Sequence, residues 1–208
     1  MLLTSSLTFA AFEENIEEDA DLKAVKKLAV AYPSYYKVAE EEPSISELVQ
    51  DSYSAGKLVS NFDIISYAEV AAAILRDTGV DLTSLNALEA EKLFIANIGK
   101  YADAYVVETV TNGANRPWLF FYVYNAADSK LMYTYSVQSR YINKNAKDYQ
   151  KAAEDFYKQF AEAADKTLSK EERKKAEEKK RYETGGKKKI KKVTYRTGKS
   201  KEDLVKKK

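Results

Sequence analysis

Helices packed on one mixed sheet, the α+β (mixed α/β) class, is the fold that three features of the 208-residue sequence predict. Short apolar runs alternate with helix-start signals over residues 27–99. Three strand-like segments then follow one another between residues 104 and 140, joined by connections too short for a crossover, so they form an antiparallel meander. One amphipathic stripe at helical spacing, over residues 148–168, closes the domain. Together these predict a sheet of about five strands, ending in a three-strand antiparallel meander and a long C-terminal helix.

The elements follow from local chemistry. Residues 1–11 (MLLTSSLTFAA) are apolar and small, resembling the hydrophobic part of a signal peptide without its basic start. They also suit a first strand or an apolar segment docked on the domain. The acidic stretch 13–21 reads as a solvated helix. Residues 27–32 (KLAVAY) make a first strand, ended by Pro33. Ser44 and Glu47 have capping-box spacing, with Ile45, Leu48, Val49, Ser52 and Ala55 as the apolar stripe of the helix they open. Residues 61–66 (NFDIIS) form the second strand. Ser66 and Glu69 repeat the capping box, Val70, Ala73 and Ile74 face inward, and Gly79 sits where a left-handed C-cap belongs. A further helix starts at Ser84, turns Leu85, Leu88, Leu93, Phe94 and Ile98 inward, and stops at Gly99. The meander strands are 104–111, 118–125 and 130–140. In the closing helix Tyr149, Ala152, Ala153, Phe156, Phe160, Ala163 and Ala164 share one face. Residues 170–181 are charged all round and continue as a solvated helix, and Gly185-Gly186 breaks it. The resulting division is an N-terminal segment 1–22, an α/β domain 23–168, and a basic helix and tail 169–208.

Composition narrows the chemistry. Hydrophobic residues make up 45% of the chain, enough to build a core. Cysteine and histidine are absent. That excludes thiol nucleophiles, disulfides and thiolate or imidazole metal sites, and removes the usual general base near neutral pH. No stretch approaches the apolar length of a membrane-spanning helix. The net charge of +2 conceals an asymmetry. Residues 166–208 hold 19 Lys and Arg against 7 Asp and Glu, while residues 1–165 hold 15 against 25. A +12 tail is thus attached to a −10 body.

The carboxylate runs Glu13-Glu14, Glu17-Glu18-Asp19 and Glu40-Glu41-Glu42 lie in polar stretches with nothing to drive their pKa values apart, as a catalytic pair requires. Gly185-Gly186-Lys187 and Thr197-Gly198-Lys199-Ser200 each lack the spacing of a phosphate loop. No catalytic residue, metal ligand or cofactor is assigned, and no small-molecule substrate is implied. Trp118, Phe120, Tyr122 and Tyr124 alternate along one strand and so share one sheet face, with Leu119, Phe121 and Val123 on the other. Either the N-terminal segment or the tail covers that aromatic face, or it is an exposed surface for a protein partner or a second copy. Thr134, Ser136, Gln138 and Arg140 form a polar row beside it. In the tail, Lys187, Lys188, Lys189, Lys191, Lys192, Arg196, Lys199, Lys206, Lys207 and Lys208 are either a merely solvated extension or suit diffuse attraction to an acidic partner or polymer. The −10 body of another copy is one such partner.

The order of elements, with Phe62-Asp63-Ile64-Ile65-Ser66, residues 93–110 (LFIANIGKYADAYVVETV) and 118–136 (WLFFYVYNAADSKLMYTYS), resembles a known envelope α/β domain. It is shared by the curli-secretion-channel periplasmic region, the penicillin-binding-protein activator lipoproteins and the N-terminal domain of TolB. Asp63, Glu69, Gly99, Ala102, Asp103, Tyr105, Val106, Val107, Asp128 and Lys130 stand where that group has its characteristic residues. The likeness spans residues 27–165. It departs at Ser129, where the group has glycine, and in having no lipobox cysteine, so lipid anchoring is not supported. The resemblance implies a non-enzymatic part of an envelope machine, periplasmic or secreted, of the structural, assembly or adaptor kind. The alternative reading is a cytoplasmic nucleic-acid-associated protein with a basic C-terminal arm.

Overall fold

The structure, a computed structural model of the chain, describes residues 12–37, 44–59, 62–112, 117–138 and 146–166, with residues 172 and 175. The chain divides into two units, residues 1–167 and 168–208. All the strands and longer helices described belong to the first.

Seven strands form one mixed sheet: β1 (Phe12–Ile16), β2 (Lys27–Val30), β3 (Ser34–Lys37), β4 (Asp63–Ile65), β5 (Ala104–Asn112), β6 (Pro117–Asn125) and β7 (Leu131–Gln138). Their order is β1-β7-β6-β5-β2-β4, with β3 also paired to β5. The β2, β3 and β4 pairings are parallel, and those joining β5, β6, β7 and β1 are antiparallel. The four helices are α1 (Ile45–Val59), α2 (Tyr67–Thr78), α3 (Ala87–Ile98) and α4 (Ala146–Lys166). The mixed sheet, its closing meander and the long final helix are those of the predicted class.

Local chemistry sets the helix ends. The Ser44 N–H donates to Glu47 Oε2 at 2.7 Å and the Glu47 N–H to Ser44 Oγ at 3.4 Å. Ser66 and Glu69 make the same reciprocal pair at 2.7 and 3.2 Å, satisfying N–H groups that a helix start leaves open. Gly79 ends α2 in the left-handed region at φ +74. In α4, Tyr149, Ala152, Ala153, Phe156, Phe160, Ala163 and Ala164 are all buried, as their spacing requires.

Two strands go beyond the expected five. Residues 13–21 do not form a helix: Phe12–Ile16 is β1, paired antiparallel with β7. Its acidic side chains are compatible with either state, and edge pairing decides. The strand expected over 27–32 is interrupted by Pro33, which has no N–H for the ladder. It resumes as β3 alongside the far half of β5. The third helix begins after Asn86, whose Oδ1 accepts the Glu89 N–H at 3.0 Å. Ser84 instead ends a short 3-10 turn, Leu82–Ser84. Leu88 is 60% exposed rather than inward, because at 3.6 residues per turn it stands about 120° round the helix from the buried Phe94. Glu172 and Lys175 are helical. The rest of the tail lies outside the described residues.

Two cores flank the sheet. On one face α1 and α4 bury Leu28, Val30, Ile64, Val106, Leu119, Phe121, Val123, Tyr133 and Tyr135. The rings of Phe121 and Phe156 stack at 4.5 Å and 5°. Gly56 lets α1 approach α4, since a Cβ there would lie 2.8 Å from Tyr157 Cζ. On the other face α2 and α3 bury Ala29, Val70, Ile74, Phe94, Ile98 and Tyr105. That second core covers only the part of the sheet nearest β2 and β4.

Candidate functional site: the open aromatic end of the sheet

Alternation along β6 sends Leu119, Phe121 and Val123 into the α4 core and Trp118, Phe120, Tyr122 and Tyr124 to the opposite face. The four aromatics do not share one fate. A register shift between Val123 and Tyr124 coincides with the point where the α2–α3 layer begins. Tyr124 stacks on Tyr105 at 5.3 Å, and Tyr105 meets Phe94 of α3 at 6.1 Å. Tyr124 is therefore packed against the second core.

Trp118, Phe120 and Tyr122 continue as a row of near-parallel rings. Centroids are 5.9 Å apart at 16° and 6.3 Å apart at 11°. All three are half-buried, and no described helix crosses them. The cross-strand register places Thr111, Thr109 and Val107 on one side of the row. Gln138, Ser136 and Thr134 lie on the other. Farther out, Glu13 and Asn15 of β1 lie opposite Ser136 and Thr134. Phe120, Tyr122, Thr134, Ser136, Glu13 and Asn15 line a shallow groove of about 230 Å³.

A second polar group sits inside the α1–α4 core. Glu108 of β5 is 4% exposed, and Ser52 and Tyr157 beside it are buried. Burial raises the Glu108 carboxyl to about 8, with the negative charge of Asp51 adding to the effect. Burial likewise pushes the Tyr157 phenol up, and the Ser52 hydroxyl opposes this as a neighbour outside good hydrogen-bond geometry. Glu108 thus holds a proton in the core near neutral pH. The sequence reading passed over it, although Ala104, Val106, Glu108 and Val110 have the same parity on one strand, which is the signal that locates it.

Residues carrying the family resemblance are joiners of elements. The Asp103 carboxylate accepts the Lys26 and Lys27 N–H groups, each at 2.9 Å. A Cβ on Gly99 would lie 2.8 Å from the Ala126 carbonyl oxygen. Ser129 adopts φ +55, the left-handed conformation that glycine takes most easily. Among the described residues no group of three or more acidic, His or Cys side chains is placed to hold a metal ion. Nor is any described helix long and apolar enough to cross a membrane. The ten tail residues singled out between Lys187 and Lys208 lie outside the described residues.

The fold and this face define an α+β domain whose sheet is covered by two helices on one side and by a second helical layer over only part of the other. No family model matches the chain, and no curated protein matches it. Among solved structures it is similar to the PelC dodecamer from Paraburkholderia phytofirmans. That match has 10% identity, covers 73% of this chain and 96% of that one, and has a TM-score of 0.44. It is also similar to the LpoB C-terminal domain from Escherichia coli, at 13% identity over 54% and 81% of the two chains, TM-score 0.41. A third is lipoprotein GNA1162 from Neisseria meningitidis, at 15% identity over 65% and 96%, TM-score 0.41.

Proposed function

We propose that the chain is a non-enzymatic envelope protein of the structural, assembly or adaptor kind, exposed to the periplasm or the exterior. It holds a protein partner against the aromatic row Trp118, Phe120 and Tyr122. Its basic tail engages a second, acidic component. The observation that carries the reading is the half-covered sheet. One face is sealed by α1 and α4 and part of the other by α2 and α3, yet three stacked aromatics remain uncovered by any described helix. Aromatic rings in such a position suit recognition by contact area.

The test places a photo-crosslinking side chain at Tyr122 in the native host, with the same group at exposed Glu91 of α3 as control. The expected result is one defined polypeptide captured in the envelope fraction from position 122, absent from position 91, and lost when Phe120→Glu is added. Equal capture at both positions, or a protein confined to the cytosolic fraction, overturns the reading.

A further inference from the structure

Strand β1 ends the sheet, and among the described residues no strand pairs with its outer side. All five of its residues are exposed, Phe12 at 52% and Ile16 at 38%. The Glu17 N–H donates to the Met132 carbonyl at 3.0 Å, so that pair faces inward. Inward and outward pairs alternate in an antiparallel ladder. Asn15 and Glu13 therefore also face β7, while Phe12, Glu14 and Ile16 turn their main-chain N–H and C=O groups outward. Those groups are a template for one more strand.

The charge along this edge has one sign. Residues 12–18 read FEENIEE, so two copies of β1 placed edge to edge would oppose carboxylates. A cationic segment suits it better, and the chain contains one. Read from Val193 back to Lys187, the tail runs VKKIKKK. Laid antiparallel against β1, it sets Val193 opposite Phe12 and Lys192 and Lys191 opposite Glu13 and Glu14, and brings Lys188 and Lys187 past the strand's end towards Glu17 and Glu18 at the turn that follows. A one-residue slip would turn every side chain to the other face, which makes this register a specific claim.

We propose that residues 187–193 of a second copy add to the outer edge of β1 as an antiparallel strand in this register. Each copy carries both the acidic edge and the basic segment, so the contact is heterologous and can join chains head to tail. This deepens the tail reading of the proposed function by naming its acidic component. It stands or falls separately from the aromatic face, because its tests touch neither Phe120 nor Tyr122.

The absence of native cysteine allows a clean register test on the full chain. One chain carries Glu14→Cys and the other Lys191→Cys, and the two are mixed and mildly oxidised. Directly opposed strand residues fall within disulfide reach. A mixed disulfide dimer should form in several-fold higher yield than with Lys192→Cys in place of Lys191→Cys. Sedimentation of the native chain should show association that grows with concentration and is lost in about 0.5 M salt. Glu13→Lys/Glu14→Lys should abolish that association. Mixing the Glu13→Lys/Glu14→Lys chain with one carrying Lys191→Glu/Lys192→Glu should restore it. Equal disulfide yields at 191 and 192, or a chain that stays monomeric at every concentration, overturns the proposal.

Discussion

Asp103 accepts the main-chain N–H of Lys27 at 2.9 Å, and the same oxygen accepts that of Lys26 at the same distance. A single carboxylate at the start of β5 thereby fixes the first residues of β2 in the parallel register that sets Leu28 beside Ala104. Asp103→Ala leaves two N–H groups to solvent at an exposed site. The expected loss is about 1–2 kcal/mol, with Asp103→Asn losing less because it keeps an acceptor. Urea unfolding of the three chains in parallel measures it, and a neutral Asp103→Ala would remove this role.

The hairpin between β6 and β7 meets the end of α3 through a close main-chain approach. Gly99→Ala would press a Cβ to 2.8 Å from the Ala126 carbonyl oxygen, and backbone cannot yield as a flexible side chain can. A loss of about 1–3 kcal/mol is expected. Ser129 presents the reverse case. At φ +55 it holds a conformation disfavoured for any side chain, and the left-handed region costs about 1 kcal/mol there. Ser129→Gly should therefore raise the thermal midpoint, partly offset by the loss of the hydroxyl that neighbours the Tyr105 phenol. A lowered midpoint would show that this hydroxyl outweighs the backbone strain.

What could be read from the sequence was whatever short-range chemistry decides. Ser66 with Glu69, Gly79 and the α4 stripe each carry their reason within a few residues, and each stands where expected. Residues 13–21 did not, because an acidic run is compatible with a helix or an edge strand, and only pairing with β7 decides. The aromatic row was legible from period-two alternation. Its split was not: Tyr124 is taken into the second core by the position of α3, a tertiary fact with no local signature. Tyr157, buried beside Gly56, was missed for a similar reason, since it lies at the margin of the helical stripe.

Neighbouring phenylalanines on β6 should respond to very different degrees. Phe121 is fully buried against Phe156, so Phe121→Ala should cost about 3–5 kcal/mol. Phe120 stands half-buried in the open row, and Phe120→Ser should cost well under half of that while leaving the circular dichroism spectrum intact. Chemical denaturation of both variants checks the contrast. Similar losses at the two positions would mean that the open face is a structural core and not a surface held in reserve for a partner.

The buried carboxyl of Glu108 ties stability to pH in a direction that follows from its shift. Its ordinary value of 4.5 applies to the unfolded chain, and burial raises it to about 8 in the folded protein. Between those values the folded chain holds a proton that the unfolded chain has released, so stability falls as pH rises. The contribution is undiminished below about 4.5, declines by up to about 1.4 kcal/mol per pH unit across the window, and levels off above about 8. Asp51, itself raised by burial and by Glu47, adds a change of the same sign at the acidic end. Glu108→Gln keeps the shape and removes the titration. It should flatten the fall between pH 5 and 8 and stabilise the chain most at the alkaline end, where the native carboxylate would be charged among Ser52, Asp51 and Tyr157. Thermal midpoints of the two chains measured across about pH 4 to 9 decide it. Parallel curves would mean that the carboxyl reaches solvent and carries its charge as an ordinary surface glutamate does.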